Sequence, residues 1–271
     1  MAIAVTGDGV EVVQRWRDRR GVYRPAREVV DTSAHDVALT RKFTPVREFI
    51  RQHHYSGSTS QITRAFELHG PGGALVGAAT FGEVARLFKP YADGAAQGWL
   101  CLTRLVLLDE VAANAESFFV AQCFHALRKE GYSGVVSYSD PVPRTDEHGA
   151  VTHAGHFGTT YQALNGIFLG RSRGATKWLL PDGSVFESRC EQKIKTGDQG
   201  ADYSEALLVK HGATPRVSSD DRAEWVRSWR DKLCRRLVHS GNFRYQWALD
   251  KRLRKHLPTG QSYPKVVIAQ A

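Results

Sequence analysis

The period of the apolar positions changes several times along the chain, and each change marks an element. Ala38–Phe43 reads as a short strand. Thr44-Pro45 then reads as a helix start, with the hydroxyl as cap and proline at the first helical position. Val46, Phe49, Ile50 and His53 follow at helical spacing, and Ser56-Gly57-Ser58 breaks the run. Two apolar-rich stretches, Arg64–His69 and Ala74–Phe81, flank Gly70-Pro71-Gly72-Gly73, which is the pattern of a hairpin. Residues 83–88 lead into a loop over 90–98. Trp99–Leu108 is a strong strand, Ser117–Glu130 an amphipathic helix stopped by Gly131, and Gly134–Tyr138 a short buried strand. A polar loop over 140–156 precedes a short helix, Phe157–Leu164, ended by Asn165-Gly166. Strands over 167–170, 176–180 and 185–190 follow.

After Gly197 the spacing turns helical. Trp225, Trp229 and Leu233 mark one helix, and Tyr245, Leu249, Leu253 and Leu257 a second. The order predicts an α/β fold with a mixed sheet. It divides the chain into an N-terminal extension (1–37), a body (38–197) and a basic helical tail (198–271).

Charge sharpens that division. The 271 residues carry a net charge of +9. Between Arg222 and Lys255 eleven Lys or Arg face three acids, so this stretch holds +8 of the total. Such a concentration of cations points to an anionic partner, with nucleic acid first. Arg235, Arg236, Asn242, Arg244, Lys251 and Arg252 are the candidate contacts, the Gly241–Tyr245 stretch being expected as a turn that touches DNA backbone or a flipped base. The four cysteines are far apart and form no CxxC pair, which argues against a zinc ribbon or a disulfide scaffold and favours a reducing cytoplasm. No apolar run is long enough to span a membrane, and the N-terminus does not read as a signal peptide.

Several local motifs carry more specific chemistry: His53-His54-Tyr55-Ser56-Gly57, Leu102-Thr103-Arg104-Leu105, Ser137-Tyr138-Ser139-Asp140-Pro141, Gly155–Ala163 (GHFGTTYQA) and Gly241–Tyr245 (GNFRY). In this order on an α/β series they resemble the Mom family of phage DNA-modifying proteins, which is related to the GNAT superfamily of N-acetyltransferases. The resemblance implies a GNAT-like acyltransferase fold. It further implies transfer of a methylcarbamoyl-type group to the exocyclic amine of adenine in double-stranded phage DNA within the host cytoplasm, protecting that DNA from restriction. His54, Tyr55, Ser137, Asp140 and Tyr161 are then the catalytic candidates. Asp140 is a candidate base, and Tyr161 stands where acetyltransferases place a tyrosine that protonates the leaving thiolate. The association of the family with iron makes His54, Tyr55, Asp140 and Tyr161 candidate ligands for that metal.

Acetyl-coenzyme A or a related acyl donor is the implied cofactor, and Asn114, Glu116 and Ser117 open the helix at which acetyltransferases hold its pyrophosphate. The stretch Asp109–Ser117 lacks the glycines of that loop and carries Glu110 and Glu116, so altered coenzyme binding is expected. Two other readings stay open. One is a GNAT-type acyltransferase acting on another modified base, RNA or a protein amine. The other is a non-catalytic DNA-binding protein on a GNAT body.

Overall fold

The computed structural model describes residues 4–5, 11–17, 20–84 and 98–264. Strands β1 (Ala4–Val5), β2 (Glu11–Arg17) and β3 (Arg20–Pro25) form a small antiparallel sheet, so much of the N-terminal extension is an ordered arm. Then come β4 (Asp36–Thr40), α1 (Phe43–His53), β5 (Arg64–His69), β6 (Leu75–Glu83), β7 (Trp99–Leu107), α2 (Ala115–Lys129) and β8 (Gly134–Ser139). Next are β9 (Arg144–Thr145), β10 (Val151–His153), α3 (Thr159–Ala163), β11 (Ile167–Arg171), β12 (Ala175–Leu179) and β13 (Val185–Phe186). The chain continues through α4 (Ser188–Thr196), α5 (Ala201–Lys210), α6 (Arg222–Leu233), β14 (Arg235–His239), β15 (Phe243–Ala248) and α7 (Lys251–Arg254). The α/β class with a mixed sheet is therefore as expected. The loop expected over 90–98 lies almost wholly outside the described residues.

Two compact units emerge: residues 1–141 with 156–172 and 242–271, and residues 142–155 with 173–241. The boundaries expected after residues 37 and 197 do not coincide with them. The first unit is built on a seven-stranded sheet in the order β11-β15-β8-β7-β6-β5-β4. Its neighbours are antiparallel except β7 and β8, which run parallel, with α2 as the crossover between them. Phe119, Val120, Cys123 and Leu127 of α2 bury into one core with Phe66, Phe81, Leu102, Val135, Tyr161 and Tyr245. Helix α1 presses Val46, Phe49 and Ile50 against Ala65, Ala78 and Val106. It starts two residues earlier than expected, with Phe43 rather than Pro45 first and Lys42 rather than Thr44 at the cap position.

The largest departure from the sequence reading is β15. The spacing of Tyr245, Leu249, Leu253 and Leu257 suggests one helix, but Phe243–Ala248 is a strand inside the large sheet. Phe243, Tyr245 and Trp247 alternate onto the aromatic core, a period of two that reads as three to four only when Leu249 and Leu253 are added. A single helical turn, α7, follows.

The second unit joins a three-stranded sheet, β13-β12-β14, and the small β9–β10 hairpin to helices α4, α5 and α6. Leu180, Phe186, Ile194, Leu208, Trp225 and Val226 form its core. Cys190, expected at a strand end, lies in α4, and the polar loop expected over 140–156 carries β9 and β10. Among the described residues no helix is long and apolar enough to cross a membrane.

Candidate active site at the parting of two parallel strands

The parallel pairing of β7 and β8 runs from Trp99↔Gly134 to Leu102↔Ser137 and stops there. The cause lies in β7. Thr80 pairs with Arg104 and Phe81 with Leu102, so Thr103 is an extra residue, a bulge that bends the strand. Thr103 Oγ1 donates to Thr80 O at 3.0 Å, which pins the bulge to β6. Ser137 Oγ donates to Leu102 O at 3.0 Å, closing the pairing at its last rung. Beyond it Tyr138 and Ser139 pair only with β15, opposite Arg244 and Phe243. The sheet opens between Thr103 and Ser139.

Most of the catalytic candidates collect at this opening. Tyr161, on α3, is 6% exposed, with its ring 5.4 Å from those of His156 and Tyr245 and 5.6 Å from Trp247. Burial raises its phenol well above the ordinary tyrosine range; a hydrogen bond with Ser137 opposes this, while nearby Tyr55, Cys101 and Tyr245 add to it. Tyr161 therefore holds its proton at neutral pH. Ser137 is fully buried and gives its own proton to Leu102 O. Asp140, 8% exposed, follows β8 directly, and its backbone carbonyl accepts the His156 N–H at 2.6 Å. Strand end and α3 approach are thus tied together. Asp140, Ser137 and Tyr161 belong to one neighbourhood, with His156 as a bridge rather than a bystander.

His54 and Tyr55 sit at the C-terminal end of α1. The Ser56 backbone N–H donates to His54 Nδ1 at 3.1 Å, and Ser56 Oγ lies 2.9 Å from the same atom. A backbone N–H can only donate, so Nδ1 is the unprotonated nitrogen and the ring proton is on Nε2. The Tyr55 ring lies 4.3 Å from that of His54. Arg104 straps this loop to the bulge, donating to Ser58 O at 2.8 Å and to Thr103 O at 2.6 Å.

These observations do not fit the expected iron. A neutral histidine bound to a metal through Nε2 carries its proton on Nδ1, which the Ser56 N–H forbids. Among the described residues no three His, Cys, Asp or Glu side chains converge.

The coenzyme candidates occupy the other end of α2. Asn114 holds the cap position, but its Oδ1 accepts from Val30 N at 2.7 Å. Ser117 Oγ donates to Asn114 O at 2.8 Å. Glu116 pairs with Arg15 of the N-terminal arm. None of the three is turned to an anion.

The nucleic-acid candidates separate. Arg235 and Arg236 belong to β14 in the second unit, where both are exposed; Arg235 donates to Thr145 O at 3.1 Å and Arg236 stands 5.9 Å from the Trp178 ring. Asn242, just before β15, and Arg244, within it, are half-buried, with Arg244 donating to Leu169 O at 2.7 Å. The expected contact turn over 241–245 is corrected by this strand. Tyr245 is fully buried, and its hydroxyl donates to Phe157 O at 2.7 Å. Lys251 and Arg252 are exposed on α7.

Two residues that the sequence reading did not single out stand on the sheet beside the opening. Burial pushes the Tyr138 phenol up to about 12, Cys101 adding to this and Arg244, its cross-strand partner, opposing it. Gln246 is fully buried with neither amide atom hydrogen-bonded. The alternation Ser137-Tyr138-Ser139 was the available signal for Tyr138; nothing in the sequence marks Gln246.

Comparison with known proteins adds three structures and one family. A GNAT family N-acetyltransferase (YhbS) from Escherichia coli in complex with CoA is similar over 30% of this chain and 42% of its own, at 20% identity and a TM-score of 0.25. An N-acetyltransferase from Staphylococcus aureus covers 69% of this chain and 68% of its own, at 11% identity and a TM-score of 0.30. A tandem GNAT protein from the clavulanic acid biosynthesis pathway covers 62% and 49%, at 13% identity and a TM-score of 0.30. The chain thus spans less than half the length of the first and third, and at such scores no property of these proteins transfers. No curated protein matches. The model of the Mom protein family matches residues 40–265, which takes in the parted strands, α3, β15 and α7 as well as the whole second unit. This chain belongs to the Mom protein family.

Proposed function

We propose that this protein is a transferase that modifies DNA, placing a small methylcarbamoyl-type group on the exocyclic amine of adenine. The observation that carries the reading is the buried, protonated Tyr161, hydrogen-bonded to Ser137 where β7 and β8 part, with Asp140 at the same strand end. Membership of the Mom family supports this choice of substrate, which rests on what the resemblance implies.

The reaction makes three demands that these residues are suited to meet. The adenine amine is a weak nucleophile, because its lone pair is delocalised into the ring. As its nitrogen bonds to the acyl carbon of an activated donor, it must lose a proton, and Asp140 is the base for it. The bond from that carbon to the leaving group then breaks, and Tyr161 gives its proton to the leaving atom. Ser137 turns its own proton from Leu102 O toward the new phenolate, so charge on Tyr161 is not left bare. His54, with its proton on Nε2, is a donor rather than a base. The adenine amine is paired inside a duplex, so the base must leave the stack to reach a site buried in a sheet.

Mass spectrometry of nucleosides from DNA of cells expressing the protein tests the reading. An adenine adduct of carbamoyl type is expected. Tyr161→Phe, which keeps the ring among Tyr245 and Trp247, is expected to lower adduct formation by about a hundredfold or more. Asp140→Ala is expected to abolish it. An adduct on another base, or on none, overturns the substrate; parent-level modification by both variants overturns the site.

A further inference from the structure

At the start of α2 the chain already supplies, from its own N-terminal arm, the charges that a ligand would otherwise bring. Arg15, on β2, is 2% exposed. Its guanidinium donates to three backbone carbonyls: Leu108 O at 3.0 Å, Val111 O at 2.8 Å and Ala112 O at 2.6 Å. It also pairs with Glu116 in the first turn of the helix, with Nη2 3.0 Å from Oε2. Three carbonyls and both oxygens of one carboxylate thus converge on one cation. The 108–112 turn presents carbonyls to its occupant, the opposite polarity from a loop that cradles a phosphate with N–H groups.

Three of the N–H groups nearby are also occupied. Val111 N donates to Leu108 O and Ala115 N to Ala112 O. The Ala113 N–H hydrogen-bonds the Glu28 carboxylate, which is itself held by both Nε and Nη2 of Arg24 at 2.8 Å. Glu28 is the anion at this helix start, and it belongs to the chain. Val30 N completes the attachment by donating to Asn114 Oδ1. From Arg15 to Val30 the arm meets the 108–117 segment with a cation on its carbonyls and a carboxylate on its amide.

We infer that the arm permanently fills the place at the start of α2 where a coenzyme's pyrophosphate would bind, so that this transferase takes its acyl group from a donor that is not gripped there by phosphate. A pyrophosphate brought to this place would meet three carbonyls, Glu116 and Glu28. The donor is then recognised through its acyl end and its neighbouring atoms at the parted strands. The inference rests on reading the chain as a transferase, but concerns the donor alone. Its test needs no DNA, so its failure leaves the adenine adduct standing, and the converse holds too.

Hydrogen exchange on the full-length protein is the test, with millimolar coenzyme A or S-acetylpantetheine, the same thioester arm without the nucleotide. Exchange of the amides over 108–118 is expected to be unchanged by either compound, and any binding of the two to agree within about threefold. Protection of these amides by coenzyme A but not by S-acetylpantetheine would overturn the inference. A second arm uses Arg15→Met with Glu28→Gln. Exchange over 108–118 is expected to rise in this variant while the amides of β5 and β6 stay protected. Unchanged exchange over 108–118 would show that the arm does not hold the segment and would equally overturn it.

Discussion

Helices α6 and α7 come from one basic stretch of sequence and treat their cations in opposite ways. In α6 three of the four cations are held by structure, Arg227 alone being exposed without an ion pair among the described residues. Arg222 pairs with Glu205 of α5 at 2.8 Å, and Arg230 pairs with Glu191 of α4 at 2.9 Å while its guanidinium lies 4.4 Å from the Trp178 ring. Lys232 sits 4.7 Å from the Trp229 ring. In α7, Lys251, Arg252 and Arg254 are exposed, as is the following Lys255, and no ion pair ties them among the described residues. Leu253 and Leu257 anchor that turn beside Trp99 and Val136 of the large sheet, in the unit that carries Tyr161. Density of charge along a sequence thus does not locate a nucleic-acid surface. What matters is whether each cation has already been paired with a carboxylate of its own chain.

The comparison is most severely tested at the aromatic residues between the two helices. Trp247 is 7% exposed; its Nε1 donates to Leu164 O at 3.1 Å and its ring meets those of Tyr161 and Phe124. Trp247→Ala is expected to lower stability by about 3–5 kcal/mol, the usual cost of emptying a large aromatic from a core. Denaturant melts measure this. A loss of DNA affinity at unchanged stability would mean that Trp247 is a stacking surface.

Next in size is the charge on α7. With Lys251, Arg252, Arg254 and Lys255 all changed to alanine, DNA binding is expected to weaken on every sequence alike. The slope of log affinity against log salt should flatten by up to about 0.9 for each phosphate no longer neutralised, and affinity near physiological salt should fall about a hundredfold. Binding across a salt series decides. An unchanged slope would place the DNA path elsewhere and make α7 as inert as α6.

What the sequence made legible follows the same division between local and distant causes. The hairpin of β5 and β6, the strong β7 and the helix α2 each announce themselves by period and by the glycines that end them. Asp140 and Tyr161 stand out through short motifs, and the bulge at Thr103 brings their elements to one opening. The strand character of 243–248 was hidden, because Leu249 and Leu253 extend its apolar alternation into an apparent helical stripe. The role of Arg15 was illegible for another reason. Its partners, Leu108, Val111 and Ala112, are backbone carbonyls more than ninety residues away, and a carbonyl leaves no mark in a sequence. The splitting of the DNA-binding candidates between units was likewise invisible, since β14 and β15 are separated by only three residues.

Smaller effects are expected when α6 itself is perturbed. Arg230→Met removes one of the two cations on Glu191 and leaves that largely buried carboxylate to Lys195 alone, 2.5 Å away. A stability loss of about 2 kcal/mol is expected, with the salt slope of DNA binding untouched. A flatter slope in this variant would put α6 on the DNA and erase the contrast with α7.

The smallest expected effect is a dependence on pH, and it reports on the same carboxylate. Burial works to raise the Glu191 carboxyl, but hydrogen bonds from Lys195 and Arg230, with their charges, outweigh it and hold the group below its ordinary value. A carboxylate whose folded value is depressed binds fewer protons in the native state than in the unfolded one. Its contribution is complete above the unfolded value of about 4.3 and is lost as pH falls through the lower folded value. Stability of the parent should therefore fall with acidification below that point more steeply than stability of Glu191→Gln, which has no proton to take up there. Above it the two curves should run parallel, with the parent higher. Melts at matched ionic strength from neutral pH downward give the difference directly. Parallel curves throughout would mean that the Glu191 pairs are solvated contacts of no energetic weight. The cations of α6 would then be as available to an anionic partner as those of α7, and the distinction between the helices would rest on the stability of Arg230→Met alone.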